Sequence, residues 1–287
     1  MLLSLKATSQ EREVAHPAFV ISGRKNIGMI FRGYFDESYN DKVFTLSCLA
    51  SDPTGWAAID RGWKLCLVAK NRKLKAQGRP QISRYHAADC SSLQGEFSGW
   101  SVDEQVKFAR ELMATLSRDR AWVNNISYSI PLKDFIKEFN IEGDPIPVCY
   151  EELVKFIMLE MAAQLREAKE QRGSVRPVAY VLFHERCNHD GLYLAAFNKM
   201  MQDSTFKGKE HFSTIAPLGW EHCISLQPAD MIAYETFKEA ERQLTGRKRR
   251  KSLEFLMQSK KFGGRSKQFD RKNLQEWRDV VNQPTGA

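Results

Sequence analysis

The stretch MIFRGYFDESYND, residues 29–41, decides the fold class of this chain. An apolar and aromatic run predicts a central β-strand, and it stops at two adjacent carboxylates, Asp36 and Glu37. The turn-forming residues SYND follow, and KVFTLSCLA then has the pattern of a second strand. We therefore predict two consecutive strands separated by a turn, with Asp36 at the end of the first.

Beyond this stretch the chain alternates between helical and strand patterns. Residues 150–171 carry a continuous apolar face and give the clearest predicted helix. Residues 178–183, VAYVLF, are apolar on both faces, which is typical of a strand buried between helical layers. Residues 228–244 predict a closing helix, with Pro228 in its first turn. This order predicts a three-layer α/β fold with a central sheet flanked by helices.

The composition is that of an ordinary globular protein. The chain has 287 residues, of which 43% are hydrophobic and 27% are charged, enough for a large core. It contains no apolar run near the ~18 residues that indicate a membrane span. The amino-terminal MLLSLKATSQERE lacks the apolar core of a secretory signal. We therefore expect a cytoplasmic protein that does not enter a membrane.

The net charge of +8 is concentrated near the carboxyl terminus. Residues 242–272 contain twelve Lys or Arg and two acidic residues. We accordingly predict a poorly ordered leader, a main domain and a basic extension, at residues 1–28, 29–243 and 244–287. The extension includes an unbroken basic run, formed by Arg247, Lys248, Arg249, Arg250 and Lys251. This run is either a solvated tail or an arm that contacts the phosphates of nucleic acid.

The cysteines are scattered, and none of the six has CxxC spacing, so free buried thiols are the simplest interpretation. HERCNHD, residues 184–190, nevertheless gathers His184, Cys187 and His189. EHC adds His222 and Cys223. These are zinc-type ligands, although their spacing matches no standard zinc pattern.

Three carboxylates occupy comparable positions in the predicted elements. Asp36 ends the first strand, Glu185 ends the buried strand, and Asp230 lies in the first turn of the closing helix. Sites in open α/β sheets form at the carboxyl ends of strands, so the three carboxylates converge if the two strands are neighbours. Their mutual repulsion would then favour a divalent cation such as Mg²⁺ or Mn²⁺, which takes oxygen ligands and supports phosphodiester cleavage.

Each carboxylate also has a purely structural explanation. Asp36 suits the start of a turn, Glu185 suits an exposed strand end, and Asp230 suits the positive end of a helix dipole. The pattern alone therefore leaves the function open.

Three motifs resemble those of a bacterial family called domain of unknown function 3800. They are YFDES, YHAAD and SLQPADMIAY, and they span residues from about 30 to about 243, most of the chain. The matching positions are Asp36, Glu37, Ser38, His86, Asp89, Ser225, Gln227, Ala229 and Asp230. That family is similar to the ribonuclease H-like fold, whose members hold Mg²⁺ or Mn²⁺ with a cluster of acids.

The resemblance implies roles for particular residues. Asp36 and Asp230 match the metal ligands and catalytic carboxylates, and Glu185 matches an acidic position that is more often Asp. The resemblance places further residues around the metal or along the cleft: Glu37, Ser38, His86, Asp89 and Gln227. A structural role for His86 is equally compatible with the sequence.

We thus expect a ribonuclease H-like α/β fold and a metal-dependent nuclease that cleaves DNA or RNA, in defence against foreign nucleic acid. Two alternatives remain open. One is a catalytically silent module that binds nucleic acid through the basic run. The other is a metal-dependent hydrolase of a small phosphorylated or nucleotide substrate.

Overall fold

The structure, a computed structural model, describes residues 28–117, 123–172, 178–246, 248–258 and 262–281. The predicted leader lies outside this part of the chain, except for Gly28. No helix in the described ranges is both long enough and apolar enough to cross a membrane.

A mixed sheet forms the centre of the molecule and confirms the predicted α/β class. Its strands are β1 (Met29–Tyr39), β2 (Val43–Ser51), β3 (Val123–Pro131), β4 (Val178–Glu185), β5 (Phe212–Leu218) and β6 (Phe262–Gln268). Their order across the sheet is β5-β4-β1-β2-β3-β6. Strands β1, β2 and β3 are successively antiparallel. Strand β4 is parallel to both β1 and β5, and β6 is parallel to β3.

Helices flank the sheet. They are α1 (Pro53–Ala76), α2 (Ala87–Ser92), α3 (Val102–Leu116), α4 (Leu132–Phe139), α5 (Ile146–Arg172), α6 (Asp190–Gln202), α7 (Leu226–Thr245), α8 (Lys251–Met257) and α9 (Arg271–Val281). Ser101 caps the amino terminus of α3, because its Oγ accepts a hydrogen bond from the Glu104 N–H at 3.1 Å.

Each face of the sheet carries its own apolar core. On one face, the predicted stripe of α5 packs on the strands, and Ile157, Met158 and Met161 are fully buried there. Burial of such a side chain stabilises the folded state by about 1.5–3 kcal/mol. This gain explains why apolar residues recur along one face of α5 and why their pattern predicted the helix. On the other face, α1, α3 and α7 pack through residues such as Trp63 and Ile232. This arrangement is compatible with the predicted three layers.

The first strand is longer than predicted. Asp36 does not end β1, because pairing with β2 continues to Tyr39 opposite Phe44. The turn comes after Tyr39, where Asn40 Oδ1 accepts hydrogen bonds from two following backbone N–H groups. Pairing of β1 with β4 ends earlier, at Phe35 opposite His184. Asp36 is therefore the first residue beyond the parallel pairing, at the place where β4 ends.

The last large helix begins earlier than predicted. Helix α7 starts at Leu226, so Asp230 lies in its second turn and not in its first. Gln227 and Pro228 extend the helix toward its amino terminus, because Pro is tolerated in a first turn. The helix dipole acts mainly on groups in the first turn. It is consequently a weaker explanation for the presence of an aspartate at position 230.

Described residues after 244 contribute to the sheet and to its core. Strand β6 pairs with β3, and Leu274 and Trp277 of α9 enter the core on the α5 face. Gly264 makes the close pairing possible, because a Cβ at this position would lie 1.9 Å from the Asn125 carbonyl oxygen. The described part of the predicted extension is thus an edge strand with two helices.

Candidate active site

Asp36, Glu185 and Asp230 face the same layer of the fold. Side chains alternate along a strand, and Tyr34 and Phe183 stack on each other in the core next to α7. Asp36 and Glu185 follow these residues by two positions, so both point to the α7 side of the sheet. Asp230 comes from α7 itself. The structure therefore brings the three predicted carboxylates to one end and one face of the sheet.

The carboxylates interact electrostatically. Burial raises the pKa of Asp36 well above its ordinary value, and the nearby charges of Asp230, Glu37 and Glu185 raise it further. Burial likewise raises the pKa of Asp230 to about 6. His86 and the Ala87 N–H oppose that rise, whereas the Glu185 charge adds to it. Ionising Asp36 and Asp230 together without a bound cation is consequently unfavourable.

The loop between α1 and α2 supplies the partners of two of these carboxylates. Arg84 Nη1 lies 2.8 Å from Glu185 Oε1, and its guanidinium lies over the Trp220 ring at 4.5 Å. The Ala87 N–H donates to Asp230 Oδ2 at 2.8 Å. Sequence analysis missed Arg84, although it lies directly before the YHAAD motif. The signal in the sequence was a positively charged residue two positions before His86.

Gln227 holds this loop against α7. Its side chain is buried, and Oε1 accepts hydrogen bonds from Trp63 Nε1 at 3.0 Å and from the Tyr85 N–H at 2.9 Å. Tyr85 lies between Arg84 and the residues that contact Asp230. Gln227 thus positions the loop, and through it the hydrogen bond to Asp230.

The other predicted cleft residues are distributed over both faces of the sheet. His86 lies close enough to Asp230 to lower its pKa, and its Nδ1 is 2.9 Å from Asp89 Oδ2, without the geometry of a hydrogen bond. Ser38 is partly buried and shares the face of Asp36 by alternation. Glu37 points to the opposite face, where the Tyr193 hydroxyl donates to its Oε2 at 2.7 Å.

Part of the basic run is engaged in ion pairs. Arg249 Nη2 lies 2.8 Å from Glu239, and Arg250 Nη2 lies 3.1 Å from the buried Glu235. Arg250 Nη1 also donates to Ser91 Oγ in α2. Lys248 is exposed. Arg247 and the side chain of Lys251 lie outside the described residues.

One group of potential metal ligands is gathered more closely than the three carboxylates. Among the described residues, His184, Cys187 and Asp190 alone form a set of His, Cys, Asp or Glu ligand atoms that all lie within 4.8 Å of one another. His184 and Cys187 belong to the HERCNHD stretch, whereas Asp190 was not predicted as a ligand. The His189 ring instead lies tilted against the Tyr150 ring, with 5.2 Å between the ring centroids.

A cleft of about 410 Å³ lies elsewhere, between α7, α8 and the β3–β6 edge. Its walls include Glu235, Glu239 and Gln268, and none of the three predicted carboxylates. The cleft is therefore distinct from the candidate active site.

No protein-family model, curated protein or solved structure matches this chain. The roles given to Asp36, Glu185 and Asp230 therefore depend on the geometry described above.

Proposed function

We propose that this chain is a divalent-metal-dependent nuclease with a ribonuclease H-like fold. The observation that carries the proposal is the convergence of Asp36, Glu185 and Asp230 on one face of the sheet, with raised pKa values for Asp36 and Asp230. Asp36 and Asp230 are only partly exposed, and the charge of Asp230 raises the pKa of Asp36. Such mutually perturbed carboxylates are a common feature of functional sites.

The donor set fits Mg²⁺ or Mn²⁺. All three side chains offer carboxylate oxygens, the ligands that these hard cations take in proteins. When bound, such an ion supplies Lewis-acid stabilisation and a more acidic water for phosphodiester hydrolysis. The mixed sheet with helices on its faces supports the ribonuclease H-like part of the proposal, since this end of the sheet carries the acids.

Arg84 gives the site its positive charge. It neutralises Glu185 through one nitrogen and carries further N–H donors that suit a phosphate oxygen. The proposed role of Arg84 is to orient a phosphodiester beside the carboxylates.

Nucleic acid is the proposed partner. Arg249 and Arg250 already form ion pairs with Glu239 and Glu235, so only part of the basic run is available for phosphates. This observation weakens the alternative of a silent module that binds through the run. No specific feature favours the small-substrate hydrolase.

The test is cleavage of a panel of labelled single-stranded DNA, duplex DNA and RNA with Mn²⁺, Mg²⁺ or EDTA. We expect metal-dependent cleavage that Asp36→Asn and Asp230→Asn each reduce at least 100-fold, consistent with loss of a group that acts at the reaction centre. Asp279→Asn is the matched control, because it makes the same change at an exposed position of α9.

Two results would contradict the proposal. Binding without cleavage under all these conditions would favour a silent module. Hydrolysis of nucleotides or phosphate monoesters with no cleavage of polymers would favour the small-substrate hydrolase.

A further inference from the structure

A second set of potential ligands lies on the opposite face of the sheet from the candidate active site. His184 is the next-to-last residue of β4, Cys187 follows in the connection, and Asp190 begins α6. Their ligand atoms all lie within 4.8 Å of one another. His184 is 1% exposed, whereas Cys187 and Asp190 are partly exposed. The set is thus partly buried but accessible to an ion.

The spacing agrees with one tetrahedral ion. His184 Nδ1 lies 3.5 Å from Asp190 Oδ1. With metal–ligand distances near 2.05 Å, two ligands of a tetrahedral zinc ion lie about 3.3 Å apart. Little movement would therefore be needed for both atoms to bind the same ion.

The chemistry of the set differs from that of the active-site carboxylates. A thiolate, an imidazole and a carboxylate are the three kinds of side chain that bind zinc. Mg²⁺ and Ca²⁺ prefer oxygen ligands alone. The two faces of the sheet therefore offer donor sets for different metals.

An independent feature also indicates a cation, namely the negative charge around this set. Glu37 of β1 reaches the same face, because it accepts a hydrogen bond from the hydroxyl of Tyr193, whose ring stacks on His184 at 4.2 Å. Among the ion pairs between described residues, no Lys or Arg contacts Glu37 or Asp190. Two partly buried carboxylates thus lie near a thiol without a fixed cation.

We propose that His184, Cys187 and Asp190 bind one zinc ion, with Glu37 close to the position of its fourth ligand. The ion would fix the connection from β4 to α6. This connection directly follows Glu185, so the ion would stabilise the end of the strand that carries an active-site carboxylate.

A metal-free explanation exists, because hydrogen bonds already join the three residues. Asp190 Oδ1 accepts from the Cys187 N–H at 2.9 Å, and His184 Nδ1 lies 3.0 Å from the Glu185 carbonyl oxygen. Asp190→Asn separates the two explanations. Asparagine keeps the side-chain oxygen that accepts from the Cys187 N–H, but it replaces the carboxylate, a common zinc ligand, with a neutral amide.

The experiment measures the zinc content of the purified full-length chain and the visible spectrum of its cobalt-substituted form. We expect about one zinc per chain and a thiolate-to-cobalt absorption band, as for a tetrahedral site with a cysteine ligand. Cys187→Ser and Asp190→Asn should each retain at least tenfold less zinc after brief dialysis against a chelator. Cys223→Ser and Asp279→Asn are the matched controls and should retain zinc as the parent does.

Alkylation of Cys187 provides a measurement on the unaltered chain. Zinc should slow the labelling of Cys187 by iodoacetamide, followed by mass spectrometry, and a chelator should restore it. The proposal is overturned if the parent chain binds neither metal through a thiolate, if Asp190→Asn binds zinc like the parent, or if zinc leaves Cys187 labelling unchanged. None of these readouts depends on nuclease activity.

Discussion

Replacing Asp36 with Asn removes one charge from the carboxylate cluster and nearly preserves the shape of the side chain. Because the pKa of Asp230 is about 6, compared with about 3.9 for an ordinary Asp, ionising it in the folded state opposes folding by about 3 kcal/mol at high pH. Burial is the largest cause of this shift and the charge of Glu185 adds to it, while burial and the charge of Asp230 raise the pKa of Asp36 in turn. We therefore expect metal-free Asp36→Asn to be about 1–2 kcal/mol more stable than the parent at pH 8.

The pH dependence follows from the direction of the shifts. A carboxyl group with a raised pKa binds its proton more tightly in the folded state than in the unfolded state. Stability therefore falls as the pH rises from the unfolded pKa, about 3.9, through the folded pKa, which is about 6 for Asp230. The parent should lose stability over this range more steeply than Asp36→Asn. The difference between the two should be small at pH 4, where both carboxyl groups are protonated.

The assay is urea unfolding, followed by tryptophan fluorescence, from pH 4 to pH 8 in EDTA and with Mn²⁺. A ligand that binds only the folded state stabilises it by about 2.7 kcal/mol at a hundredfold excess over Kd, and the parent should show this gain. Asp36→Asn should lose most of it, whereas the control Asp279→Asn should keep it. If Asp36→Asn is less stable than the parent at pH 8 in EDTA, or gains as much from Mn²⁺, the repulsion argument is refuted.

Four further changes test other parts of the site and the basic run. Gln227→Ala leaves the buried donors of Trp63 and Tyr85 unpaired, so the free energy of unfolding should fall by about 2–4 kcal/mol. The control Gln243→Ala, at an exposed position, should change it by no more than about 0.5 kcal/mol. Arg84→Gln should raise the KM for polynucleotides and weaken the dependence of KM on salt, because it removes a donor to phosphate. An unchanged salt dependence would mean that Arg84 only pairs with Glu185 and does not contact phosphate. Lys248→Gln should flatten the slope of log affinity against log salt by about 0.9 on duplex DNA with unchanged stability. Arg250→Gln should instead lower the free energy of unfolding by about 3–5 kcal/mol, because it leaves the buried Glu235 carboxylate without its ion-pair partner.

The apolar patterns were the informative part of the sequence for the fold. Helix α5 and strand β4 were predicted because burial on one face, or on both, dictates long regular apolar runs. Strand β6 was missed because FGGRSKQ is largely exposed and contains glycines that disfavour strands in isolation. Its position depends on pairing with β3, which lies far away in the sequence and leaves no local pattern.

The candidate site was predictable only in part, for a similar reason. Strand ends indicated Asp36 and Glu185, although the β1–β2 hairpin extends beyond β4 and so places Asp36 inside a strand. The pairing of Arg84 with Glu185 joins residues 101 positions apart. Asp190 was overlooked because spacing rules for zinc describe pairs of Cys and His, whereas the first turn of α6 brings its carboxylate back toward His184.

The pairing of β6 with β3 has a consequence for how the chain is made. Strand β3 ends at Pro131 and its partner begins at Phe262, so the ribosome must add the 130 residues 132–261 before the synthesis of β6 begins. At a translation rate of about 5–20 residues per second, the edge of β3 remains unpaired for roughly 7 to 26 seconds. All nine residues of β3 are buried in the complete fold. Until β6 is made, the nascent chain therefore exposes an unpaired strand edge that can pair with strands of other chains. Chaperone dependence during synthesis should therefore fall sharply once residues 262–268 have emerged.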